Sequence, residues 1–65
     1  MWASHFTTSE PVRLVKELPE LDLTRDQVGV VRGKWEAPTL AYEVEFQAKN
    51  KPLRVLVLDH YLKAA

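Results

Sequence analysis

Cysteine is absent from this chain of 65 residues, so neither a disulfide nor a thiolate metal site can staple it. No apolar run approaches the length of a membrane span, and the N-terminus lacks a basic segment followed by an apolar core. The expectation is a soluble, cytoplasmic protein with no membrane partner. Charge of one sign is not in excess either. Nine basic and nine acidic residues cancel, which argues against a protein that mainly coats nucleic acid. Glycine occurs only twice, as Gly29 and Gly33, in no phosphate-loop pattern, so backbone curvature is their expected role. Histidine also occurs only twice, as His5 and His60, and nothing has metal-ligand spacing. Asp59 and His60 are adjacent, and neighbours in a strand or tight turn point apart, so they make a poor catalytic dyad. Neither an enzyme nor a cofactor is expected.

What is present reads as short strands between turn signals. A chain of this size buries only about 60% of its unfolded surface, so each core residue counts. Residues 1–10 have no clean period and form an arm, with Trp2 and Phe6 as candidate anchors; residues 11–65 form the domain. Pro11 to Lys16 is a first strand, and proline suits its first position because no ladder bond is lost there. Glu17 to Asp26 is a charged loop that Leu18, Leu21 and Leu23 tack onto the domain. Gln27 to Trp35 is a second strand, bent where Gly29 interrupts the valines. After a turn over Glu36 to Thr39, Leu40 to Gln47 is a third strand, in which Tyr42, Val44 and Phe46 alternate with Glu43 and Glu45. Lys49 to Pro52 is a polar connector, Leu53 to Leu58 a fourth strand, Asp59 to Tyr61 a 3₁₀ turn, and Leu62-Lys63 a last short strand. The predicted fold is all-β, a small five-stranded SH3-like barrel with a short 3₁₀ turn before the last strand.

Val12 and Leu14, Leu18-Pro19-Glu20, Leu23, Gln27-Val28-Gly29, Tyr42-Glu43-Val44-Glu45-Phe46 and the apolar strand before Leu62 carry a resemblance. Over roughly residues 11 to 63 the chain resembles the small bacterial domain-of-unknown-function family numbered four-nine-two-six. The resemblance implies a fold, since that family has no established activity to carry over. The turn Lys49-Asn50-Lys51-Pro52 departs from it, being more basic than the acidic, glycine-bearing turn expected there.

Three surfaces are candidates for binding. Glu17, Glu20, Asp22 and Asp26 beside Trp35 and Tyr61 parallel the acidic loop and aromatic groove with which SH3 domains hold proline-rich peptides. A solvated loop over the core, with Trp35 capping the barrel, is the plainer expectation. Arg32, Lys34, Lys49, Lys51 and Arg54, with Trp35 for stacking, form a basic patch suited to single-stranded nucleic acid. Glu36, Glu43 and Glu45 interleave with it, and two carboxylates on a strand face more often solubilise an edge than act as a pair. The third surface is apolar. Leu53, Val55 and Val57 belong to a strand that is apolar on both faces, and Val31, Trp2 and Phe6 have no obvious place inside. Either the arm folds back over the outer face of strand four or another chain covers it, and exposed patches of that kind are usually interfaces. The favoured reading is a non-catalytic protein-interaction module, regulatory or antitoxin- or immunity-like, with a protein or a second copy as partner. The alternative is a nucleic-acid-binding small barrel.

Overall fold

Alternation in the chain becomes two sheet faces in the structure, a computed structural model that describes residues 6–65. Five strands form one antiparallel sheet: β1 (Pro11–Leu14), β2 (Val28–Trp35), β3 (Ala41–Ala48), β4 (Lys51–Leu58) and β5 (Leu62–Ala64). The sheet order is β4-β3-β2-β1-β5, and a 3₁₀ turn over Asp59–Tyr61 precedes β5. This is the expected all-β, SH3-like order. Among the described residues no ladder joins β4 to β5, so the barrel stays open along that seam.

The β3–β4 hairpin is the longest pairing and sets the inner face. Tyr42, Val44 and Phe46 lie opposite Val57, Val55 and Leu53, and the three on β3 are fully buried. Only two residues, Lys49 and Asn50, connect the strands, and both have positive φ (52° and 68°). Two successive left-handed residues make a type I′ turn, whose twist matches that of the flanking strands. Replacing both by the residues this turn favours, Lys49→Asn with Asn50→Gly, is expected to stabilise the chain by about 1 kcal/mol. Thermal unfolding should then shift upward by roughly 4–8 °C. An unchanged midpoint would show that the hairpin geometry costs nothing.

In β2 the buried positions are Gly29 and Val31, while Val28 is 45% exposed. Val31, for which the sequence offers no obvious place inside, is therefore a core residue, and Val28 faces out. A β-carbon on Gly29 would sit 2.6 Å from Val44 Cγ1 and 2.8 Å from the Phe46 ring. Glycine is required there by close approach. The register shift in β2 lies further on, between Val31 and Gly33, leaving Arg32 as the extra residue of a bulge.

Segments flanking the sheet complete the core. The long loop is closed by Leu18 and Leu23, which exchange backbone hydrogen bonds (2.9 and 3.1 Å) around a 3₁₀ turn over Pro19–Leu21. Leu23 is buried and Leu18 packs on the core, whereas Leu21 is exposed, so two of the three leucines tack the loop down. The described part of the arm also joins the core. The Phe6 ring packs edge-on against Tyr42 at 5.3 Å, and the Phe6 N–H donates to Tyr42 Oη at 3.1 Å. Ser9 N–H donates to Val31 O at 2.7 Å and Val31 N–H to Glu10 O at 3.0 Å, which carries the β1–β2 ladder into the arm. The described part of the arm, residues 6–10, thus enters the core beside Tyr42 and not on the outer face of β4. Trp2 and His5 lie outside the described residues.

Candidate interaction surface

The bulge at Arg32 determines what the outer face carries. Gly33 pairs with Glu43, an outward residue, and a β-carbon on Gly33 would meet the Glu43 side chain at 3.2 Å. Arg32 and Gly33 therefore both face outward, and the phase of β2 reverses beyond them. An unbroken alternation from Val31 would send Trp35 inward. The reversal puts it on the outer face, 57% exposed.

Across the sheet the same face carries Glu43 and Glu45 of β3 and Arg54, Leu56 and Leu58 of β4. Leu56 is 62% exposed and Leu58 37%. Trp35, Glu43, Arg54, Val55 and Leu56 line a shallow depression of about 290 Å³. Beside it, charges are matched across three strands. Arg54 Nη1 donates to Glu43 Oε2 at 3.2 Å and Arg54 Nε to Glu45 Oε1 at 3.4 Å, while Arg32 Nε reaches the same Glu45 oxygen at 3.3 Å. Hydrogen bonds from Arg54 to Glu43 and then to Glu45 hold its guanidinium even more firmly protonated than usual. These groups are partly exposed and screened, so they order the face more than they stabilise the fold.

Sequence-predicted residues divide between this face and the interior. Phe6, Val31 and Val57 are buried in the core, and Leu53, Val55 and Tyr61 pack against it. They offer little free surface, and among the described residues only Trp35 of the apolar candidates presents one. Leu56 and Leu58 are not among the sequence candidates, because the pairing that turns them outward shows only in the register. A two-residue turn sets Leu53, Val55 and Val57 opposite the inward Phe46, Val44 and Tyr42, so their neighbours must face out.

The basic candidates do not form a free cationic surface. Arg32 and Arg54 are held by glutamates, Lys34 Nζ lies 3.3 Å from Glu36, and Lys49 Nζ lies 3.0 Å from Asp22. Among the described residues only Lys51 of the five makes no ion pair. In the acidic loop, Asp22 turns to Lys49 and Asp26 to Lys63 at 3.7 Å. Trp35 instead belongs with β4, so the loop and this aromatic do not share the depression. Tyr61 takes Lys16 Nζ over its ring at 5.3 Å and His60 edge-on at 4.6 Å. Asp59 Oδ1 is buried without a hydrogen-bond partner among the described residues. Within the same residues no three His, Asp or Glu side chains converge as a metal site would need, and no helix is long and apolar enough to cross a membrane.

Comparison with protein-family models, with curated proteins and with solved structures finds no match to this chain.

Proposed function

We propose that this chain is a non-catalytic protein-interaction module of the cytoplasm that docks through the outer face of β2, β3 and β4. The observation that carries the reading is the grouping of Trp35 and Leu56, each more than half exposed, around one depression while the core is filled by other residues. A face of that kind is characteristic of interfaces, and its aromatic and arginine content is what interface centres favour. The proposal extends to a regulatory role of antitoxin or immunity type, in keeping with the small bacterial proteins that the chain resembles. The nucleic-acid reading has less support, because four of its five cations already face carboxylates.

Affinity capture of the tagged chain from its native lysate, with and without nuclease, tests the reading when run beside Trp35→Glu. A discrete, stoichiometric protein is expected to survive nuclease and to be lost from the variant. Nuclease-sensitive capture that falls as salt rises would replace the module by the basic patch. Retention of every partner by Trp35→Glu would show that this face is not the docking surface.

A further inference from the structure

Strand β4 is eight residues long and forms one edge of the sheet. Its register shows which backbone groups lie free. Lys51 pairs with Ala48 across the tight turn, and Asp59 N–H donates to Leu40 O at 3.1 Å at the other end. Antiparallel ladders alternate, so the odd-numbered residues 51–59 are those that bond to β3. Pro52, which has no N–H to give, falls in the other set, as an edge position allows. The N–H groups of Arg54, Leu56 and Leu58 and the carbonyls of Pro52, Arg54, Leu56 and Leu58 therefore point off the sheet. Among the described residues no strand pairs with this edge.

Edges this long are normally blunted by free lysines, central prolines or inward charges. Here the lysine, Lys51, and the proline both stand at the very start, and Arg54 is tied back to Glu43 and Glu45. We propose that a second copy of this chain pairs antiparallel with β4 along this edge, with Leu56 on the two-fold axis. This names the partner of the interaction module proposed above and rests on that reading.

The edge is complementary to itself in that register. Each Leu56 exchanges N–H···O bonds with its counterpart, and Arg54 exchanges them with Leu58 of the other copy. All three edge amides of each copy are then answered, while Pro52 lies beyond the last exchanged pair and no missing donor is felt. The charges also agree. The two Arg54 side chains sit four residues apart along the ladder, about 13 Å, each beside its own glutamates. A shift by two residues would bring them diagonally together. On the outer face the two Leu56 side chains meet at the axis, and each already borders the depression that holds Trp35. A net charge of zero adds no repulsion between copies. A two-fold contact of this type closes on itself, so it ends at a dimer.

The test is sedimentation equilibrium of the full chain as wild type, Leu56→Pro and Leu56→Thr, with amide hydrogen exchange at low and high concentration. Leu56→Pro deletes an amide that makes no bond to β3, and Val55 before it is already extended, so the monomer keeps its ladder. Circular dichroism checks that it does. The wild type is expected to dimerise, with the Arg54, Leu56 and Leu58 amides protected only at high concentration. The dimer dissociation constant should rise at least about tenfold in Leu56→Pro, through loss of the two bonds at the axis. Leu56→Thr keeps those amides and should weaken the dimer less than Leu56→Pro does. A wild type that is monomeric at about 1 mM would overturn the second copy, since even a weak specific contact is populated there. The same holds for a Leu56→Pro dimer as tight as the wild type, or for edge amides that exchange alike at both concentrations. None of these results would touch the module reading, which stands or falls on the Trp35→Glu capture.

Discussion

Phe46→Ala is expected to leave the chain largely unfolded at room temperature. Phe46 is fully buried in β3, paired with Gly29 on β2 and Leu53 on β4. Truncating a buried phenylalanine costs roughly 3–5 kcal/mol in lost transfer energy and residual cavity. A single core of this size seldom supplies more than about 3–5 kcal/mol, and no disulfide adds to it. Urea unfolding would read the loss directly, and a fully cooperative transition at the wild-type midpoint would refute it. The neighbouring glycine sharpens the argument. Gly29→Ala should cost about 1–3 kcal/mol, because its β-carbon meets ring carbons at 2.8 Å and a β-branched methyl at 2.6 Å. Phe46→Leu keeps most of the apolar volume and gives a folded background. In that background Gly29→Ala should cost measurably less than in the wild type, a coupling a double-mutant cycle resolves. Equal costs in both backgrounds would show that the ring is not what requires glycine there.

Phe6→Ala has the second-largest expected effect, a loss of about 3 kcal/mol. Phe6 is one of the ten residues of the buried cluster, although it precedes the first strand. Its ring lies edge-on to Tyr42, a geometry that adds roughly 0.5–1.5 kcal/mol to simple burial. Its amide is held by the Tyr42 hydroxyl in a buried hydrogen bond, so Tyr42→Phe should cost about 1–3 kcal/mol by leaving that N–H without an acceptor. Trp35→Ala is the contrasting case. That side chain is larger, but more than half of it is exposed, so its removal should change monomer stability little. Chemical denaturation of the three variants ranks them. A neutral Phe6→Ala would mean that the arm merely lies near the core, and a costly Trp35→Ala would mean that the outer face is structural.

Much of the candidate surface was hidden from the sequence for two local reasons. The first is the bulge. Gln27 to Trp35 reads as a valine-rich strand bent at Gly29, where a glycine interrupts the valines. The extra residue is Arg32, and a bulge shows itself only when the partner strand is laid beside it and Val31 and Gly33 are found opposite Val44 and Glu43. The second is the turn. Lys49 to Pro52 looks like a four-residue polar connector, because neither lysine nor asparagine announces a type I′ turn as Asn-Gly would. Shortening it to two residues starts β4 at Lys51 and decides which of its side chains reach the core.

The five strands, their all-β order and the inward set of Tyr42, Val44 and Phe46 could be read from the chain alone, because period-two alternation and turn residues are local properties. That Val31, Val57 and Phe6 are core, that Trp35 joins Leu56 outside and that the arginines answer glutamates are products of long-range pairing. Those outcomes depend on how one strand registers against another. A single inserted residue or a shortened turn reverses every side chain beyond it, and that choice is made by the packing of the whole sheet.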